Sequence, residues 1–260
     1  MPLDRRAMLA GLAASAITSM PAEPMPTGST YLELKTWKLH NSPENQSTRV
    51  AEFLEKGLAP AIDRAGAKLA GAFGNVIGPD GPYYVTLSEF SSLDNFQKTL
   101  DALNSDNAYL AALESLSKGS GLPFVRVESS LLRSFNVFPN VSYAKGEHGP
   151  RVFELRTYES QSQISLRRKV GMFNNGEAQI FMRLGFRPVF FGETIVGPRQ
   201  PNLSYMLSYD SLDQHDKLWA AFISDPEFRK LLSQPGLSDA EIVANISNVI
   251  LRPLAFSEIR

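Results

Sequence analysis

VFELRTYES, residues 152–160, and YLELKTWKL, residues 31–39, are near copies of one another. Leu32-Glu33-Leu34-Lys35-Thr36-Trp37 lies over Phe153-Glu154-Leu155-Arg156-Thr157-Tyr158. Each stretch alternates apolar and polar residues, the two-residue period of a β-strand. One strand written twice, about half a chain apart, points to a duplicated unit of domain size.

The duplication extends well beyond the strand. A shift of 119 residues lays Gly78–Arg133 over Gly197–Arg252 without a gap, with 13 identities in 56 positions. Gly78-Pro79 meets Gly197-Pro198, Ser92-Leu93-Asp94 meets Ser211-Leu212-Asp213, and Ser105-Asp106 meets Ser224-Asp225. The first strands need a shift of 121, so the copies differ by two residues in the following loop or first helix. A period near 120 residues is too long for a solenoid unit and suits a domain.

Within the first copy, residues 31–39 read as a strand. Residues 48–65 carry apolar side chains at helical spacing, with Ser47 or Thr48 as N-cap, a kink at Pro60 and Gly66 as C-cap. Residues 69–77 and 83–90 read as strands joined by the turn Gly78-Pro79-Asp80-Gly81-Pro82. A helix follows over 93–117, broken near Asn104–Asn107, and the last strand covers 124–136. The order βαββαβ is the ferredoxin-like unit. The second copy repeats it from Val152 to about Phe256. Helices cover one face of such a sheet and leave the other to be buried. The expected fold is therefore α+β, two tandem ferredoxin-like repeats packed sheet to sheet as an intramolecular α+β barrel. The segments are residues 1–28, a leader; 29–138, the first repeat; 139–150, a linker; and 151–260, the second repeat.

The opening strand and the tandem layout resemble the NIPSNAP family, whose signature is an aromatic-E-L-R-x-Y strand on a dimeric α+β-barrel fold. Phe153-Glu154-Leu155-Arg156-Thr157-Tyr158 carries that signature, and the first copy has Lys35 and Trp37 where it has Arg and Tyr. The resemblance covers roughly residues 30–260. It implies a fold and brings no settled catalytic machinery. Eukaryotic members are linked to vesicle, mitochondrial and stress-related roles.

Composition excludes several classes. The net charge is −1 with 20% charged residues, and no Lys/Arg block tracks phosphates, so a nucleic-acid partner is not expected. There is no cysteine, which removes disulfides, thiolate nucleophiles and Cys-held metals. No dinucleotide, P-loop or nucleophile-elbow motif occurs, and the Gly-rich turn at 78–82 opens no helix. Neither a cofactor nor a metal site is expected. At the N-terminus, Arg5-Arg6 precede Met8-Leu9 and a short Ala/Gly-rich apolar run, followed by a Pro-rich segment. That pattern suggests a twin-arginine export signal and a periplasmic location, with a cytoplasmic protein as the alternative. The run is too short to span a bilayer.

Alternation divides each opening strand into two faces. Phe153, Leu155 and Thr157, with Leu32, Leu34 and Thr36, are expected under the helices. Glu154, Arg156 and Tyr158, with Glu33, Lys35 and Trp37, are expected in the barrel lumen or at the seam. There they form either a polar ligand pocket or salt bridges that fix strand register. Arg133 and Arg252, equivalent in the last strands, are candidates to pair with Glu33 and Glu154 or to bind an anion. His40, just beyond the first strand, is the candidate catalytic histidine. His148 in the linker and His215 on a helix surface are expected to be exposed. Phe190, Phe191, Tyr205 and Tyr209 are expected to pack the core.

The functional expectation is an exported protein that binds a small ligand or a protein partner in or near the barrel. Two alternatives stand beside it: a barrel enzyme of monooxygenase or haem-dependent type, and a homo-oligomerisation module using exposed sheet edges.

Overall fold

The computed structural model describes residues 29–41, 43–143 and 151–260. The expected export signal and His148 lie outside these residues. In the first repeat, β1 (Tyr31–Lys38) leads into α1 (Gln46–Phe53), a π-turn (Leu54–Leu58) and α2 (Ala59–Arg64). Then come β2 (Lys68–Ile77), β3 (Tyr83–Phe90), α3 (Leu93–Ser105), α4 (Asn107–Ser117) and β4 (Arg126–Ser134). The second repeat has β5 (Val152–Glu159), α5 (Gln163–Met172), a π-turn (Phe173–Glu177) and α6 (Ala178–Arg183). It continues with β6 (Arg187–Val196), β7 (Asn202–Tyr209), α7 (Leu212–Ser224), α8 (Pro226–Leu232), α9 (Asp239–Ile242) and β8 (Asn245–Pro253).

Matching bounds place the two-residue difference between the copies in the β1–α1 loop. From Phe53 and Met172 onward the π-turns, the strands and the helix starts coincide at a shift of 119, while α8 ends earlier than α4 and is followed by the extra α9. Asp106 breaks α3 from α4 and caps α4 by accepting the Tyr109 N–H; Asp225 does the same before α8. Arg64 and Arg183 hold these two aspartates in equivalent ion pairs. The expected N-cap at Ser47 or Thr48 is corrected. The helix starts at Gln46, and Asn45 stands at the cap with a positive φ of 54°. The cause is tertiary. Buried Gln46 accepts the His40 N–H and donates to the Leu122 carbonyl, which draws the first turn back.

The eight strands close into a barrel in the order β1-β3-β2-β8-β5-β7-β6-β4. Each repeat supplies four consecutive members, and the seams are antiparallel β2–β8 and β4–β6. Among the described residues every strand has two neighbours, so no sheet edge is free for the oligomerisation reading to use.

Three apolar clusters fill this frame. One draws on both repeats, with Leu32, Leu34, Phe73, Val85, Phe153, Phe190, Met206 and Leu251, and it is the barrel interior. Phe73 and Phe153 meet there across the repeats at 5.0 Å. The other two lie between each half-sheet and its own helices.

The expected assignment of faces is therefore reversed. Leu32, Leu34, Phe153 and Leu155 line the lumen, whereas Trp37 and Tyr158 belong to the clusters under the helices. The lumen is sealed from water and lined from every side, so it takes the more apolar set. The helix side can bring its own polar partners, so it takes the charged set.

Candidate functional site

On the helix side of β5, the sequence FELRTY projects Glu154, Arg156 and Tyr158 in a row beneath α5 and α7. Glu154 is fully buried. One of its oxygens accepts from Arg156 Nη1 at 2.6 Å and Asn248 Nδ2 at 3.0 Å. The other accepts from the Tyr209 hydroxyl and Trp219 Nε1, both at 3.0 Å. His215 Nε2 stands 3.3 Å from that second oxygen. Arg156 also donates to the Tyr158 hydroxyl at 3.3 Å, and its guanidinium lies 4.4 Å from the centre of the Trp219 ring. Tyr205 donates to Tyr158 at 3.1 Å.

Deeper in the repeat, Lys169 of α5 and Glu177, the last residue of the π-turn, form an ion pair at 3.1 Å with both side chains almost wholly buried. Asp239 is the second carboxylate on Lys169, at 3.4 Å. The ammonium lies over the Tyr158 and Phe173 rings. The π-turn is distorted at Asn175 and Gly176, immediately before Glu177. That break helps turn a carboxylate into the core instead of outward.

Charge and burial compete throughout the cluster. Burial pushes the Glu154 carboxyl up, but the Arg156 guanidinium, the Asn248 amide and His215 outweigh it and hold the group below the ordinary range. Burial, then the Glu154 charge, raise the Tyr209 hydroxyl, and burial raises Tyr205 well above its usual value. Burial disfavours the Lys169 ammonium, yet Glu177 and Asp239 more than offset it and raise the group. Burial pushes Glu177 up, opposed by Lys169. Glu154 is thus an ionised and fully engaged acceptor. It is an anchor for the groups around it, not a free base. The cluster reaches the surface where Asn248 is exposed and where His215, Arg156 and Trp219 are only partly covered.

The first repeat builds the same place differently. Glu33 pairs with Lys35 at 3.0 Å and accepts from Ser129 at 2.9 Å, as Glu154 does from Asn248. Trp37 Nε1 donates to Thr86. The remaining counterparts are apolar. Val50 stands for Lys169, Leu58 for Glu177, Phe90 for Tyr209, Phe96 for His215 and Leu100 for Trp219. Even the edge-to-face contact of Tyr209 on His215, at 4.9 Å, has its copy in Phe90 on Phe96, at 5.1 Å.

Of the residues expected at a site, the structure brings together Glu154, Arg156 and Tyr158, and separately Glu33, Lys35 and Trp37. Neither set faces the lumen. Arg133 pairs with Glu193 of β6 at 2.8 Å across the seam, not with Glu33. Arg252 is exposed on β8, and Glu154 takes Arg156 instead. His40 is half exposed, 3.5 Å from Glu44, and belongs to the first repeat, remote from this cluster. His215, expected to be exposed, is the histidine that enters it, with a side chain only 19% accessible. Sequence reasoning also missed Lys169, Glu177, Tyr209, Trp219 and Asn248 as partners. The available signal was the internal alignment, in which the second copy is polar at positions where the first is apolar. Among the described residues no group of three His, Asp or Glu side chains is arranged to hold a metal, and no helix is long and apolar enough to cross a membrane.

Known proteins resemble the chain at two levels. A protein provisionally assigned as a monooxygenase from Lactobacillus acidophilus NCFM superposes with a TM-score of 0.57 at 11% identity, covering 86% of this chain and 94% of its own. One given the same provisional assignment from Fusobacterium nucleatum matches with a TM-score of 0.57 at 9% identity, covering 87% and 93%. Identities this low establish a shared fold and nothing more. A NIPSNAP family protein from Agrobacterium tumefaciens C58 is 21% identical over 45% of this chain and 97% of its own, with a TM-score of 0.39. No curated protein matches the chain. The NIPSNAP family model matches residues 153–258, which is the repeat that holds the polar cluster. That repeat is a NIPSNAP domain.

Proposed function

We propose that the second repeat binds a small polar ligand at the outer end of its cluster, where His215, Arg156, Trp219 and Asn248 meet the surface, while the first repeat closes the barrel as a scaffold. One observation carries this reading. The two halves share a fold and a register, yet only the second replaces core residues with the buried Lys169–Glu177 ion pair, a histidine and a tryptophan. Buried charge is seldom the most stable filling for such a space, and here the apolar alternative stands in the other copy. Residues kept at a cost to stability are candidates for function. A barrel enzyme working from the lumen is less well supported, because Phe73, Phe153, Phe190 and Met206 pack the space it would use.

The test is ligand retention by the purified protein in native mass spectrometry, then thermal shift with the retained compound or a library of small acids and amides. The shift should vanish in His215→Phe, which installs the first repeat's residue. Absence of any retained molecule or shift, or an undiminished shift in His215→Phe, overturns the proposal; capture of a protein partner at the same face would replace it.

Export through the twin-arginine pathway is proposed on the Arg5-Arg6 pair and the apolar run behind it. Fractionation of the native protein and of Arg5→Lys/Arg6→Lys tests it. The native chain should be periplasmic and the variant cytoplasmic.

A further inference from the structure

On the outside of the second repeat, a cleft of about 450 Å³ separates the π-turn and α6 from α8. Small-molecule sites typically enclose about 300–1,000 Å³. The cleft shares no lining residue with the outer end of the polar cluster. Gly176, Ile180 and Leu231 give it an apolar wall, and the amides of Gln179 and Gln234 stand beside that wall. The equivalent place in the first repeat is closed. There a Cβ on Gly57 would stand 2.7 Å from that of Ala112, whereas one on Gly176 would find its nearest neighbour, the tip of Leu231, at 3.5 Å. Alanines at 108, 111 and 112 let α4 approach its π-turn, and the second copy has Glu227, Lys230 and Leu231 in their places. Charge in the cleft is uneven. Arg183 is committed to Asp225 at 2.9 Å and to Glu227 at 3.1 Å. Among the described residues Lys230 has no carboxylate partner, so its ammonium is the cation left to meet a ligand.

We propose that this cleft binds a small aliphatic monocarboxylate, its carboxylate on the Lys230 ammonium and the Gln234 amide and its chain against Ile180 and Leu231. Lys230 and Gln234 are four residues apart on the α8 side of the cleft, the spacing that lets two side chains meet one group. A single available cation suits a single negative charge, and Glu227 on the same lining repels a second. The aliphatic wall rewards a chain that leaves water, which a bare inorganic anion does not offer. The site is additional to the one proposed at the polar cluster and does not depend on it.

The experiment is a titration of the full nitrogen-15-labelled chain with sodium hexanoate, followed by amide NMR, with hexanol as the uncharged control. Hexanoate should shift the amides of residues 175–180 and 230–234 saturably and bind more tightly than the alcohol. Lys230→Gln, a change at an exposed position, should keep the dispersed spectrum of the folded chain. It should weaken hexanoate binding about tenfold, the loss of one charge-assisted contact, and leave that of hexanol unchanged. Lack of a saturable shift, equal binding of acid and alcohol, or undiminished affinity in Lys230→Gln overturns the proposal. Shifts confined to Arg156, Trp219 and Asn248 also overturn it, and place the acid at the polar cluster instead.

Discussion

Replacing Glu154 by leucine removes the acceptor that four donors share while leaving volume nearly unchanged. Arg156, only 15% exposed at its side chain, would keep its charge without the carboxylate. Removing one member of a buried ion pair costs about 3–5 kcal/mol. Tyr209 and Trp219 would each lose a bond, but Trp219 Nε1 retains the Tyr209 hydroxyl at 3.1 Å, so their added cost is small. The expected loss is about 4 kcal/mol, a large share of the roughly 5–15 kcal/mol that holds a typical domain together. The equivalent Glu33→Leu breaks a pair whose lysine is 25% exposed, and should cost about 1 kcal/mol. Urea unfolding followed by circular dichroism measures both. Glu154→Leu/Arg156→Met, which removes both charges, should recover at least half of the loss, since an apolar pair packs such a site well. If Glu154→Leu costs no more than Glu33→Leu, the second repeat does not depend on a closed network of buried charges, and the reasoning fails.

Other expectations concern pH and backbone. The folded Glu154 carboxyl lies below its unfolded value of about 4.3, so its stabilisation is complete above that pH and drains away as pH falls through the lower folded value. Melting temperature against pH should therefore fall less steeply below pH ~4.3 in Glu154→Gln than in wild type. Lys169 has the opposite sign. Raised in the folded state, its contribution is complete below about pH 10.4 and lost as pH rises through the folded value, so Lys169→Met should flatten the alkaline limb of the same curve. Two glycines, Gly57 in the first π-turn and Gly171 in α5, should respond in opposite directions. A Cβ on Gly57 would stand 2.7 Å from that of Ala112, so Gly57→Ala should lower the melting temperature. A Cβ on Gly171 meets nothing within 4 Å, so Gly171→Ala should stabilise α5 by about 0.5–1 kcal/mol in the same unfolding assay.

The frame was legible because its signals are local. Alternation marked the strands, Asp106 marked the helix break, and the repeat doubled every observation. The faces of β1 and β5 were not legible from alternation alone. Both sides of a barrel strand under helices are covered, so the period separates two faces without saying which is enclosed. His215 was read as exposed on a helix surface. Its place was nevertheless written in the helix period, since His215, Trp219 and Phe222 fall at i, i+4 and i+7 on one inward stripe. Lys169 and Glu177 were harder to place. A charge inside a helix ordinarily points to water, and only the Val50 and Leu58 of the other copy marked these positions as interior.

The covalent joining of the two half-barrels has an effect on what variation the molecule can accept. A barrel assembled from two identical chains receives every substitution twice, so a charge introduced beneath one set of helices is introduced beneath both, and the destabilisation doubles. In this chain the two positions are separate letters of one sequence. Phe96 and His215, or Leu58 and Glu177, can be set independently. A change costly enough to unfold a symmetric assembly is carried here by one half while the other stays well packed. Tandem fusion thereby widens the range of interiors this fold can sample, and it does so without any alteration to the strand order.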